Sequence, residues 1–338
     1  MKSFLLILLV LVAVLGVVFA LGPRVPTPTL SPESKEVSIP LNELSDFIQH
    51  QESQVQGIRA GNQSQIFWVD SVRKTKTVVL YLHGFSASPE EGRDAVQAFG
   101  ERYGANIFLP RLQAHGVDEP EPMLKMSADG LLQSAEDAYQ IAKTMGDHVV
   151  IMATSTGGSL ALLLAQRHPE IAGLILYSPN IRVKDARSSI MLMPWGLQIG
   201  KAVNGGAYLS FEPSDYSRKY WTYRYRIEAA AQMLQLLDNG MIPETFAQVN
   251  QPTFVGCYYQ DVDHQDQVVS VPAIQKMVTQ LGTPKDQLMF IEFPDAKEHV
   301  ICNPHISKDY PSVMEATYEF ADEILKLPLS PSASDWSE

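Results

Sequence analysis

The stretch His148–Leu164, HVVIMATSTGGSLALLL, decides the reading of this chain. An apolar, largely β-branched run, Val149-Val150-Ile151-Met152, leads into the small-residue turn Ala153–Gly158, ATSTGG. Leu160–Ala165 is Ala/Leu-rich and favours helix. Strand, sharp turn, helix is the context that a small-x-Ser-x-small motif requires. Only small side chains fit two residues either side of the central Ser, and here they are Ala153 and Gly157. The Ser155 hydroxyl would then stand at the tip of the turn. The Thr156 N–H, in the first turn of the helix, would point at a developing oxyanion. An ordinary strand-to-helix turn can carry the same residues, so the motif needs partners elsewhere in the chain.

Upstream, Val78–Leu82 is an apolar run of strand length that enters His83-Gly84-Phe85-Ser86-Ala87-Ser88-Pro89. Gly84 admits backbone conformations closed to other residues. The loop presents the N–H of Phe85 as a second oxyanion donor. His83 precedes the turn and reads as structural, because the base in this motif class comes last in the chain. Ile66–Val69 and Asn106–Leu109 read as strands, and Asp129–Met145 has helical spacing. Arg111–Glu121 is a polar loop in which His115 reads as a loop-holding residue. With the strand Gly173–Ser178 the order is βαβαβ, which implies parallel strands with helices on both faces.

Downstream, residues 182–250 break that rhythm. They hold Ile190–Trp195, several Tyr residues, and helical spacing at Ile227, Ala231, Leu234 and Leu237. We expect a mostly helical lid inserted over the C-terminal edge of the sheet. The rhythm returns with the strand Thr253–Tyr259 and a loop carrying Asp261, Asp263, His264 and Asp266. A helix near Ala273–Leu281, the strand Leu288–Phe293, a loop carrying His299 and a helix over Tyr310–Leu325 follow.

Ser155, an acid after the penultimate strand and His299 after the last one stand in the order Ser…Asp…His. Loops at one edge of a parallel sheet would bring them together. A Ser hydroxyl is a poor nucleophile in neutral water, so a neutral imidazole must take its proton. The imidazole in turn needs a carboxylate to fix its tautomer and stabilise the imidazolium. Asp261, Asp263 and Asp266 are the candidates. Asp266 is preferred because the following apolar pair, Val268-Val269, would anchor its loop, and Asp263 comes second. A metal site built from the same acids and His264 lacks a rigid ligand spacing.

The chain has 338 residues, is 45% hydrophobic and carries a formal net charge of −12. Its size suits one large α/β domain with an insertion. Its charge repels phosphate backbones, so nucleic acid is not an expected partner. Two Cys, Cys257 and Cys302, make no disulfide framework and read as buried thiols. Lys2 precedes the uncharged run Phe4–Leu21, so residues 1–21 read as a membrane anchor or a signal peptide, with the anchor favoured. Either way the catalytic body would be exported. Residues 22–36, with four Pro, read as an extended spacer, 37–327 as the catalytic domain and 328–338 as a polar tail. Asn62-Gln63-Ser64 matches a glycosylation sequon.

LHGF at 82–85, AHG at 114–116, ATSTGG at 153–158, DQVV at 266–269 and EHV at 298–300 together carry a resemblance. Over roughly 66–327 the chain resembles the α/β-hydrolase superfamily, in its carboxylesterase and monoacylglycerol-lipase (lysophospholipase)-like branch. Ala153 replaces the first Gly of the elbow, and Ala114 stands where relatives often have Gly. The resemblance implies a catalytic triad of Ser155, Asp266 and His299, with Phe85 and Thr156 as backbone oxyanion donors. It implies a serine esterase of small-molecule or lipid esters that needs no cofactor or metal, and the apolar lid and membrane tether expected from the residues favour lipid-like or medium-chain acyl esters. A thioesterase, amidase or acyltransferase would use the same triad. An inactive membrane-tethered binding protein is the alternative from another class.

Overall fold

Apolar runs whose side chains alternate between two helix-covered faces build the centre of this protein. The structure, a computed structural model, describes residues 2–330. Helix α1 (Lys2–Ala20) exposes its apolar side chains. Its segment Ser3–Ala20 is long and apolar enough to cross a membrane, a property shared by signal sequences near an N-terminus. The proline-rich stretch that follows is extended, as its composition requires, but it lies along the body. The Asp129 carboxylate accepts from the Thr29 and Leu30 amides at 3.0 and 2.7 Å. Gln133 Nε2 donates to the Glu33 carbonyl at 2.8 Å, and Gln235 Nε2 to that of Val25 at 3.0 Å. These backbone groups, which would face water in a free spacer, are bonded to side chains of the body.

Helix α2 (Leu41–Ser53) buries Leu44 and Ile48, one helical turn apart. The α/β unit begins with β1 (Gln65–Phe67), β2 (Thr75–Leu82), α3 (Arg93–Tyr103), β3 (Asn106–Leu109) and α4 (Ala128–Met145). The Ser127 hydroxyl caps α4 by accepting from the Gly130 amide. Then come β4 (Gly146–Thr154), α5 (Thr156–Arg167) and β5 (Gly173–Tyr177). The insert holds α6 (Gly196–Asn204), β6 (Tyr208–Ser210), α7 (Asp215–Tyr220), β7 (Arg224–Arg226) and α8 (Ile227–Gly240). The chain closes with α9 (Pro243–Phe246), β8 (Thr253–Cys257), α10 (Val271–Val278), β9 (Leu288–Glu292) and α11 (Tyr310–Glu319). The seven-stranded sheet has the order β1-β3-β2-β4-β5-β8-β9, parallel except for β1.

Val78, Leu80, Val149, Ile151, Leu174 and Leu176 face the core with α4, α5 and α8. The intervening residues Val79, Val150, Met152 and Ile175 face the opposite core with α3 and α11. A register slip by one residue would exchange the two faces. The insert contains an element not expected from the sequence. Strands β6 and β7 form an antiparallel pair, Tyr208 opposite Arg226 and Ser210 opposite Arg224. The Arg224 guanidinium lies 3.6 Å from the centre of the Tyr208 ring. Three-residue strands carry too short an alternation to read from sequence. Asn62 is fully buried and donates to the Lys219 carbonyl, so the sequon offers no accessible amide. Both Cys are free and buried. Most of the expected polar tail falls outside the described residues.

Helix α5 approaches β2 closely at Gly157, where a Cβ would lie 1.9 Å from the Leu82 carbonyl oxygen. Gly157→Ala should therefore destabilise the protein by about 3 kcal/mol, at the upper end of ordinary overpacking. Urea unfolding measures this, and a loss under about 0.5 kcal/mol, the range of neutral surface changes, would contradict the packing described.

Candidate active site

Ser155 sits between the end of β4 and the start of α5 with φ 54° and ψ −121°, a conformation that L-residues rarely adopt. It is held there by bonds on both sides. Its amide donates to the Tyr177 carbonyl at 3.0 Å, and its carbonyl accepts from Asn180 and Gly158 at 2.9 Å each. Ser155 is 6% exposed. Thr156 is the first residue of α5, where helical geometry leaves the N–H without an intrahelical acceptor.

Asp266 follows β8 and is fully buried. Its Oδ1 accepts from the Val268 and Val269 amides at 2.7 and 3.0 Å, and its Oδ2 faces His299 Nδ1 at 2.6 Å. Burial opposes the Asp266 charge, but His299 and the two amides outweigh it and hold the carboxyl below its ordinary range. Burial likewise pushes the His299 imidazole down. The charge and hydrogen bond of Asp266, with the charge of Glu91, outweigh that and leave it above the usual histidine value. Asp261 instead pairs with His264 at 2.9 Å on the surface, and Asp263 is exposed. Of the three candidate acids, the structure pairs Asp266 with His299.

The loop carrying His299 folds back over the elbow. Cys302 Sγ lies 3.2 Å from the Oγ1 of Thr154, the residue before Ser155. His299 Nε2 is buried with no hydrogen-bond partner. No hydrogen bond joins it to the Ser155 hydroxyl, and catalytic hydrogen bonds often tighten only in the complex with substrate. His83 is buried, with Nδ1 donating to the Gly84 carbonyl at 2.9 Å and Nε2 accepting from the Leu112 amide at 3.1 Å. Burial first, then His115, pushes its pKa well down, so the ring is neutral and committed to the backbone. His115 Nδ1 meets the Gln113 carbonyl at 2.8 Å, and its ring lies edge-on to Phe85.

Residues 73–246, just over half of the chain, match the family model described as serine aminopeptidase S33 (Hydrolase_4). The chain belongs to this family. A thermostable monoacylglycerol lipase of Bacillus sp. (strain H-257) is 33% identical over 97 residues, 29% of this chain and 38% of the lipase. The match thus spans well under half the length of that relative. A structure from work on LipS and LipT, two metagenome-derived lipolytic enzymes, aligns with TM-score 0.63 and 17% identity over 78% of this chain and 98% of that one. A soluble variant of monoglyceride lipase from Saccharomyces cerevisiae aligns with TM-score 0.57 and 13% identity, over 78% and 90%. At such identities the two structures establish the α/β-hydrolase fold.

Within this S33 chain one residue at the site escaped sequence reasoning. Glu91 is 2% exposed, and its Oε2 accepts from the Gly84 amide at 2.6 Å and from the Tyr81 hydroxyl at 3.1 Å. Burial pushes its pKa up to about 7, against the Gly84 hydrogen bond and the charge of His299. The only signal in the sequence was an acidic pair, Glu90-Glu91, in a polar loop, and such pairs ordinarily face water.

A reaction in which His299 accepts a proton needs the neutral ring, so its rate falls as pH drops through the pKa of that ring. The raised pKa places the acid limb of kcat/KM above the ordinary histidine value of about 6.5. A pH–rate profile measures it, and a rate that stays flat down to about pH 5.5, a full unit below that reference value, would contradict the assignment.

Proposed function

We propose that the protein is a serine hydrolase of carboxylic esters, with Ser155 as nucleophile, His299 as general base and Asp266 as its orienting acid. The observation that carries this reading is the Asp266–His299 pair at 2.6 Å, with the His299 loop joined through Cys302 at 3.2 Å to Thr154, next in sequence to a Ser held at positive φ between β4 and α5. Ser155 Oγ attacks the ester carbonyl carbon while its proton passes to His299 Nε2. The carbonyl oxygen becomes an oxyanion and rests on the Phe85 and Thr156 amides. The C–O bond breaks, the alcohol leaves with the proton from His299, and the acyl group stays on Ser155. Water then gives a proton to His299 and its oxygen to the acyl carbon. The acid departs and the Ser155 hydroxyl is restored.

The insert is read as a lid over this edge. Thr222 donates to the Ser86 carbonyl at 2.7 Å, Tyr225 meets the Phe85 ring edge-on at 5.0 Å, and Met233 Sδ contacts Asn180 Nδ2 at 3.5 Å. Apolar residues of the insert remain exposed at Ile190, Met193, Ile199 and Val203. They lie on the element that reaches the end of α1, where Trp195 Nε1 donates to the Val18 carbonyl at 3.0 Å. An apolar surface beside a helix long and apolar enough to cross a membrane favours lipid-like esters and a body tethered outside the cytoplasm. The partial match to a monoacylglycerol lipase supports the same substrate class.

Ser155→Ala should lower kcat on a nitrophenyl ester by about 10³-fold or more, with an unchanged melting temperature. Retention of a tenth or more of the activity would refute the nucleophile. Across a series of acyl esters, kcat/KM should rise from acetyl to medium chains. A strict acetyl preference would overturn the lipid-like assignment and leave the serine hydrolase reading standing.

A further inference from the structure

Glu91 is a buried carboxyl at the reacting edge that the mechanism above does not use. It ties together three segments of the site. Its Oε2 holds the Gly84 amide of the oxyanion loop at 2.6 Å. Through the Tyr81 hydroxyl it reaches Thr154, since Tyr81 Oη lies 2.8 Å from Thr154 Oγ1. Its backbone carbonyl accepts from Asn303 Nδ2 at 2.8 Å, on the segment just past His299.

Gly84 is the point where these contacts meet the nucleophile. A Cβ there would lie 2.9 Å from Glu91 Oε1 and 3.2 Å from Ser155 Cβ. The carboxylate and Ser155 therefore flank the same backbone position with no side chain between them. The next peptide, whose N–H belongs to Phe85, is held at its carbonyl by His83 Nδ1, so the Glu91 and His83 bonds together pin Gly84 from both sides and set the direction of the Phe85 N–H. Packing alone does not account for an acid at this place, because a carboxylate is among the costliest groups to bury. An ionised Glu91 does have a counterpart, since its charge favours the protonated form of His299.

We propose that Glu91 is a positioning residue for hydrolysis, whose carboxylate holds the Gly84–Phe85 turn in its oxyanion-binding orientation and supports the imidazolium of His299. This rests on the reading of Ser155 as nucleophile and Phe85 as oxyanion donor. Beyond His299, and the Arg93–Glu90 ion pair and Asp94 on the neighbouring residues, the groups facing Glu91 are held neutral at working pH. Burial pushes the Tyr81 phenol of β2 and the Tyr216 phenol of α7 well up, and the Cys302 thiol up to about 12. Glu91, pushed up to about 7 by burial, and His299 titrate as an interacting pair, so the acid limb reports on both and changes when Glu91 loses its charge.

The test compares the full chain with its Glu91→Ala and Glu91→Gln variants on one nitrophenyl ester, reading kcat, KM, melting temperature and pH profile. Glu91→Ala should lower kcat by about 10²-fold, the scale of one oxyanion donor, with KM within about threefold because ground-state binding is untouched. Glu91→Gln keeps an acceptor for the Gly84 amide and should recover most of that loss. It lacks the charge that favours the imidazolium, so its acid limb should move to lower pH. A folded Glu91→Ala with kcat within about threefold of the parent would overturn the proposal. So would a Glu91→Gln variant with an unmoved acid limb, and this second variant decides the matter if Glu91→Ala does not fold. Fluorophosphonate labelling of the parent at Ser155 separates the two levels. Without it the nucleophile reading fails, and with it any failure belongs to Glu91.

Discussion

The structure depends on one backbone constraint, the left-handed turn at Ser155. A residue with a side chain in such a conformation costs on the order of 1–3 kcal/mol and persists only where its surroundings over-determine it. Here the surroundings are the parallel pairing of β4 with β2 and β5, and the close seat of α5 at Gly157 against the end of β2. The turn lifts the Ser155 side chain out of the pleat and starts a helix one residue later, so a hydroxyl and a free helix N–H share one edge. A relaxed turn would disperse both.

Around that turn the chain buries two carboxylates, and their surroundings treat them differently. Asp266 receives two amides and an imidazole, enough to hold its charge despite full burial. Glu91 receives one amide and one phenol, and burial leaves it poised near neutrality. His299 lies between their fields, and both favour its protonated form. The arrangement suits a base that must hold a proton briefly while negative charge develops nearby. The family match and the solved structures bear on the α/β-hydrolase fold, and the proposed chemistry rests on the side chains alone.

Much of this was legible in the sequence because the signals were local. Val78–Leu82, Val149–Met152 and Gly173–Tyr177 are apolar runs bounded by turn residues, and each became a strand of the central sheet. The elbow was legible because Ala153, Ser155 and Gly157 are the sizes such a turn permits. The choice among Asp261, Asp263 and Asp266 rested on Val268-Val269, whose amides do hold the Asp266 carboxylate. What escaped depended on distant contacts. Nothing near Glu91 announces that Tyr81 and Gly84 will enclose it. Nothing in four prolines announces that Asp129, Gln133 and Gln235 will bind the backbone around them. The β6–β7 pair is set by the fold of the insert, since three residues show no usable period.

The most direct measurement is labelling of the folded protein with a fluorophosphonate, followed by mapping of the modified peptide. The account predicts a single adduct on Ser155, its formation slowed at low pH as His299 becomes protonated. Modification of another residue, or a folded protein that resists the probe at neutral pH, would contradict it.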